Sequence, residues 1–386
     1  MKRTTISIVS HNLPSVKEPY LHPFIVDHYQ AVDHLASYSP LVLCPAPIGI
    51  PGTRKWSRQF GPILNAPNGQ RFSYLSLPRR KGAAFVRLQI ANTLLALLPP
   101  PDETIVHLHW LYPVGIVAPL LKKKGYRVVL MVHGGDWRES VDRPDLVTLF
   151  QEALLSADTV LVSGKTLGEE ITEVIPGLRY EIMGNYIDTE RFTHPSSDEI
   201  EQAKRALGWD PTVKHLLCVA NLRPEKGIDL LLEALQTLHA TPFKVHIIGQ
   251  TADSDYQTEL EHRLQGLPPH LVNFYKPVSR DTLVQFYHAS DGFILPSRAE
   301  GFNVSLLEAA ATGLPLIATE AGDSAEVLAG CDGYLTPINQ PLLLAKSIEK
   351  WSLNENHRNK TSSQFILDHF SFQVFRKRLE ELYDRL

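Results

Sequence analysis

Short apolar runs of strand length alternate with helix-length segments along almost the whole chain. No other feature of the sequence limits its fold so strongly. A first series of runs is Ile6–Ser10, Leu41–Cys44, Ile105–His109, Arg127–Val132, Thr159–Ser163 and Arg179–Met183. A second is His215–Ala220, Lys244–Gly249, Val272–Tyr275, Gly292–Pro296 and Leu314–Thr319. Helix-like stretches such as Phe24–Ser37, Ala83–Leu98, Pro144–Ser156 and Ile228–His239 stand between them. Apolar strands joined through helices make parallel sheets covered on both faces. Two series therefore predict an α/β chain with two doubly wound parallel sheets, and ligands beyond the carboxyl ends of the strands.

The length of 386 residues suits two or three domains. Gly184–Ile200, GNYIDTERFTHPSSDEI, has turn residues and little periodicity. It marks a boundary, giving domains at 1–190 and 191–365. Phe365–Leu386 reads as one terminal helix with an apolar stripe at Phe375, Leu379, Leu382 and Leu386. Residues 366–386 are expected to pack back on the N-terminal domain. The Pro- and Gly-rich stretch Cys44–Phe72 is expected to be irregular.

Several function classes are disfavoured. The three cysteines, Cys44, Cys218 and Cys331, form no CxxC or Cys/His cluster, which argues against a zinc site or a disulfide framework and fits a cytoplasmic protein. The first apolar run is too short and too polar for a signal peptide, and no run approaches the roughly 20 apolar residues that span a bilayer. His-Asn-Leu-Pro follows the first strand where a dinucleotide enzyme carries GxGxxG, so an NAD-dependent dehydrogenase is unexpected. Nothing points to nucleic acid. The net charge is −4, yet Arg54–Arg127 holds twelve basic residues against Asp102 and Glu103 alone. That stretch is either a solvated surface or a face for something anionic, such as a membrane.

Three strand-to-helix turns carry chemistry. In SRAEGFNVSLLEAAATGLPLIAT, Ser297–Thr319, a turn containing Glu300 and Gly301 opens a helix that carries Glu308. Asn303 suits the N-cap and Gly313 the end of the helix. The first amides, from Val304, Ser305 and Leu306, are expected to be free for a phosphate. An ionised carboxylate beside them would take hydroxyl donors from a sugar or ribose diol. Taken singly, each glutamate can equally be a complement to the helix dipole. In VANLRPEKGIDLLLEAL, Arg223 and Lys226 flank another helix start and suit a diphosphate, although exposed Arg and Lys in a turn are commonly just solvated. In RVVLMVHGGDWRES, His133 ends a strand before two glycines and Asp136. Such a histidine can shuttle a proton, orient a hydroxyl or merely bond to backbone. His107 and His109, in IVHLHW, alternate along a strand and face one side. No carboxylate or Cys at ligand spacing accompanies them, so no metal is expected.

These residues resemble retaining glycosyltransferases of family 4, which have the GT-B fold: two Rossmann-like domains facing across a cleft. RPEKG, EGFNVSLLEAAATGLPLIATEAGDSAEV with Gly322 and Glu326, HGGD and GNYIDTERF carry the resemblance over nearly the whole chain. EPYLHPFIVDHYQAV is similar to a subgroup that makes surface polysaccharides. The resemblance implies that Arg223 and Lys226 hold the diphosphate of a UDP- or GDP-sugar. Glu308 would bind the ribose and Glu300 the transferred sugar. Gly301 and the amides of Phe302, Asn303 and Val304 would approach sugar or phosphate. His133, with Asp136, His109 and His22, would serve the sugar and acceptor side. No cofactor or metal is implied beyond the donor. Two departures stand out: His22 occupies a position where the subgroup commonly has Gly, and Tyr186 replaces the usual Gly after Asn185.

The expected function is transfer of a sugar to a glycan or lipid-linked acceptor, with peripheral contact at the inner membrane face. The alternatives are a nucleotide-sugar epimerase of the same fold and a non-catalytic nucleotide-sugar-binding subunit.

Overall fold

The computed structural model describes residues 3–14, 24–48, 63, 65–77, 80–184, 186–238, 243–251, 253–300, 303–355 and 358–386. The chain divides into two compact units: 1–184 with 375–386, and 185–374.

The first unit holds a parallel sheet of seven strands: β1 (Thr4–Val9), β2 (Tyr38–Ile48), β3 (Gln70–Leu75), β4 (Thr104–His109), β5 (Arg127–Val132), β6 (Thr159–Val162) and β7 (Glu181–Ile182). Their order is β3-β2-β1-β4-β5-β6-β7. The second unit holds β8 (Lys214–Val219), β9 (Phe243–Ile248), β10 (Val272–Tyr275), β11 (Gly292–Leu295), β12 (Leu316–Thr319) and β13 (Gly333–Thr336), ordered β10-β9-β8-β11-β12-β13. Each sheet runs outward from its first strand in both directions, which is the doubly wound, Rossmann-like arrangement. The order reverses between β1 and β4 and between β8 and β11, where such sheets hold ligands.

Alternation fills both faces of the second sheet. Leu217, Phe293, Leu295, Leu316 and Ala318 enter one core cluster. Their neighbours Leu216, Cys218, Ile294 and Ile317 enter the other. This period of two explains why the strands read as unbroken apolar runs.

The irregular stretch expected from Cys44 to Phe72 is partly strand. β2 continues to Ile48, and β3 begins at Gln70. Pro40, Pro45 and Pro47 are tolerated because β2 changes partner midway. Tyr38–Leu43 pairs with β1, and Leu43–Ile48 pairs with β3. Each half pairs along one edge only, so the N–H groups that proline lacks are not all needed. The single terminal helix is also corrected. Two helices, Lys360–Phe370 and Phe372–Asp384, meet at Ser371, which bridges to Ile187. Leu379, Leu382 and Tyr383 bury themselves in the first unit.

Candidate active site

Two of the chemistry-bearing turns leave adjacent strands at the switch point of the second sheet. After β8 comes the turn Pro224–Lys226 and then the helix Ile228–Gln236. After β11 comes the turn with Glu300 and then the helix Val304–Ala311. Gly227 lets the turns approach. Its φ is 64°, and a Cβ there would lie 2.0 Å from the Pro296 carbonyl oxygen.

Arg298 ties the two turns together. Its backbone N–H donates to the Glu225 carbonyl at 2.7 Å, and its guanidinium donates to the Pro224 carbonyl at 2.6 Å. The guanidinium also forks onto both Asp229 oxygens at 2.8 and 2.5 Å. Tyr256 donates to the same carboxylate at 2.9 Å. Burial pushes the Asp229 pKa up, but the Arg298 and Tyr256 hydrogen bonds outweigh it and hold the carboxyl below its usual range. The sequence reading missed Arg298, Asp229 and Tyr256.

Glu300 and Lys226 meet within this frame. Lys226 Nζ lies 2.5 Å from Glu300 Oε2, and Ser297 Oγ donates to Oε1 at 2.5 Å. The carboxylate is buried, whereas the lysine is partly open to solvent. Gly322, at φ 57°, packs against it; a Cβ there would come within 2.9 Å of the Glu300 Cβ. Arg223 points out, with 64% of its side chain exposed and Glu225 3.6 Å away.

Glu308 is buried, and Tyr287 donates to its Oε2 at 2.9 Å. Burial raises its pKa to about 7, with the Tyr287 bond pulling the other way. The shift favours the protonated form more than in an ordinary glutamate.

Asn303 takes the N-cap position, but its side chain does not cap the helix. Its Nδ2 donates to Ser324 Oγ at 2.5 Å and to the Ala321 carbonyl at 3.3 Å. The Leu306 amide is not free as expected, since it donates to the Asn303 carbonyl at 3.1 Å. Val304 opens the helix as predicted. Glu326 is exposed in the next short helix. Gly301, Phe302, His22 and Asn185 lie outside the described residues.

The first unit gathers the histidines. His107 and His109 do face one side of β4, their rings stacked 8° from parallel and 4.7 Å apart. His109 reaches His133, which follows β5, and Trp110 lies over the His133 ring at 4.4 Å. His28, on the helix Phe24–Asp33, was not foreseen. It closes the group by bonding to His109 and to Tyr383. His28, His107 and His109 offer nitrogens within 4.8 Å of one another, close enough to hold a metal ion. Five of these six nitrogens are hydrogen-bonded within the group or to His133 and Tyr383, whereas His107 Nε2 is buried without a hydrogen-bond partner among the described residues. Asp136 is buried. Its Oδ2 accepts from the Leu111 and Tyr112 amides and so fixes the loop after β4, while Oδ1 has no partner among the described residues. Burial raises its pKa to about 6 against those amide bonds.

The chain is similar to known proteins in sequence and in fold. Residues 199–365 match the family model "Glycosyl transferases group 1". A D-inositol 3-phosphate glycosyltransferase of Corynebacterium urealyticum is 30% identical over 268 residues, covering 65% of this chain and 62% of the relative. The lipopolysaccharide core biosynthesis mannosyltransferase LpsB of Rhizobium meliloti is 35% identical over 150 residues, 37% of this chain and 41% of the relative. Both alignments span less than two thirds of those relatives. Sucrose-phosphate synthase (tll1590) of Thermosynechococcus elongatus superposes with a TM-score of 0.75 at 18% identity, over 99% of both chains. Anabaena Alr3699/HepE, solved in complex with UDP and glucose, gives 0.74 at 16% identity over the full length of both. Residues 199–365 thus form a glycosyl transferases group 1 domain, in a chain with the GT-B fold of its structural neighbours.

Proposed function

We propose that the protein is a retaining glycosyltransferase. It moves a sugar from a UDP- or GDP-sugar to a glycan or lipid-linked acceptor, without a metal or other cofactor. The observation that carries the reading is the 2.5 Å pairing of Lys226 with Glu300. It joins the basic turn and the acidic turn at the switch point between β8 and β11, beside a helix whose N-cap side chain is turned away. HepE, of the same fold, has been solved with UDP and with UDP-glucose.

In this reading Lys226 and the exposed Arg223 neutralise the diphosphate as it leaves. Glu308 accepts from the ribose hydroxyls, and Glu300 accepts from the sugar while Ser297 steadies it. The acceptor hydroxyl attacks the face from which the diphosphate departs, and a leaving-group oxygen takes its proton. No protein nucleophile is used. The basic stretch Arg54–Arg127 rests against an anionic membrane that presents the acceptor.

Thermal shift with UDP- and GDP-sugars tests the donor site. A ligand at about 100 times its dissociation constant adds about 2.7 kcal/mol of stability. Arg223→Ala is expected to cut turnover about 100–1000-fold, the scale of one lost group that stabilises developing charge. Near-normal turnover removes Arg223 from the mechanism. Epimerised donor formed without any acceptor replaces transfer with isomerisation. Tight donor binding with no transfer to any acceptor leaves a binding subunit.

A further inference from the structure

Tyr287 is the one hydrogen-bond partner of the Glu308 carboxylate among the described residues. Its hydroxyl donates to Glu308 Oε2 at 2.9 Å and lies 3.2 Å from the Ser305 carbonyl oxygen. A phenol has one proton to give. Ser305 lies one turn earlier in the same helix, Val304–Ala311, where a carbonyl takes an amide donor from four residues on. A carboxylate has no such donor, and it is the stronger acceptor once charged. The Tyr287 proton therefore belongs on Glu308. That bond favours the charged carboxylate, against the burial that opposes it. Oε1 takes no hydrogen bond among the described residues.

Tyr287 is fully buried, and its place is fixed from three sides. Phe192 meets its ring edge-on, with 5.5 Å between centroids and 88° between planes. Phe293, on β11, lies 5.9 Å away at 35°. Arg358 donates to the Tyr287 carbonyl at 2.6 Å, where the helix Arg280–Ala289 ends. Phe192 is the last residue of GNYIDTERF, a stretch that carries the family resemblance but has had no part in the site so far. A binding group is held only as precisely as the side chains that support it, and here the support is a locked aromatic ring.

We propose that Tyr287 is a positioning residue for the nucleotide: it holds Glu308 in the orientation that meets both hydroxyls of a ribose, so that the site prefers ribonucleotides to their deoxy forms. This rests on the transferase reading, in which Glu308 accepts from those hydroxyls. With the carboxylate fixed, a ligand that lacks either hydroxyl leaves a buried acceptor unsatisfied, a loss of about 10–100-fold in affinity. With the carboxylate loose, it turns to meet whichever hydroxyl remains, and the preference narrows.

The test is calorimetric titration of the whole protein with UDP and GDP, and with the 2′-deoxy and 3′-deoxy forms of whichever binds. The native protein should bind the ribonucleotide about 10–100-fold more tightly than either deoxy form. Tyr287→Phe keeps the ring and removes the hydroxyl, and should narrow that ratio about tenfold, the scale of one hydrogen bond. Glu308→Gln should narrow it too. Adding Tyr287→Phe to Glu308→Gln should change the ratio no further, because Tyr287 acts through Glu308. A purely structural tyrosine would lower stability and leave the ratio alone. The proposal is overturned by equal native affinity for ribo- and deoxynucleotides, by an unchanged ratio in Tyr287→Phe, or by a further change in the double variant. Should Tyr287→Phe not fold, Phe192→Leu loosens the ring and must narrow the ratio in the same sense; an unchanged ratio there overturns the proposal as well. Native protein that binds neither UDP nor GDP rejects the donor reading and the proposal with it, whereas binding with an unchanged ratio rejects the proposal alone.

Discussion

At Glu308 burial and chemistry oppose each other. Burial raises its pKa from an ordinary 4.5 to about 7, against the pull of the Tyr287 hydroxyl. Because the folded value is the higher one, the unfolded chain releases its proton first as pH rises. The contribution of this carboxyl to stability is therefore complete below about pH 4.5 and is lost as pH climbs to about 7, at about 1.4 kcal/mol per unit. Glu308→Gln removes that slope. In urea titrations the variant should gain on the native protein from about pH 5 to about pH 8. Parallel curves would show that the carboxyl is not held protonated by burial. Glu300, Glu308, Arg223 and Lys226 were legible because each lies where a strand run gives way to a helix. Arg298 and Asp229 were not, since they are 69 positions apart and each alone looks like an ordinary surface charge. His28 was hidden for the same reason. Nothing in the pattern of its own helix shows that it will meet β4, 81 positions away at His109.

Helix ends need partners, and Arg358 supplies them for two elements at once. Its buried guanidinium donates to the carbonyls of Tyr287, His288 and Ser290, at 2.6, 2.7 and 2.9 Å, where the helix Arg280–Ala289 stops. It also donates to Thr312, at 2.6 Å, beyond the helix Val304–Ala311 that carries Glu308. Burial lowers its pKa to about 10, which still leaves it charged at neutrality and suited to the negative end of a helix dipole. Arg358→Met strands several buried carbonyls at about 1–3 kcal/mol each, so a loss of about 3 kcal/mol or more is expected in urea unfolding. A change within about 0.5 kcal/mol, the range of ordinary surface substitutions, would show that water satisfies those carbonyls instead. The same reasoning explains which elements the sequence disclosed. Strands buried on both faces, such as β4 and β5, read as apolar runs. β3 and β13, with their half-exposed patterns, did not. The prolines of β2 read as a break because its change of partner is a property of the sheet and not of the strand.

The molecule as a whole is mildly acidic, with a net charge of −4, yet Arg54–Arg127 holds twelve basic residues against two acidic ones. Part of that stretch is neutralised in the fold: Arg80 pairs with Glu139, Arg87 with Glu152 and Lys122 with Asp158. Lys81, Lys123 and Lys124 remain exposed. Beside Lys81 the helix Ala83–Leu97 leaves Phe85 and Leu88 each 51% exposed, and this helix packs against Ala118–Lys122, which leads to the other two lysines. Exposed apolar side chains flanked by cations suit the boundary of an anionic bilayer, where each Lys or Arg contributes about 1 kcal/mol. Among the described residues no helix is long and apolar enough to cross a membrane, so any contact through this helix is made at the surface. The protein should co-sediment with phosphatidylserine vesicles at low salt. It should be released near 1 M salt, where the Debye length shrinks to about 3 Å. Replacing Phe85 and Leu88 together by Ser should weaken binding while leaving its salt dependence in place, because the charges remain. Equal sedimentation with neutral vesicles, or binding indifferent to salt, would remove the membrane from the proposed acceptor and leave a soluble glycan in its place.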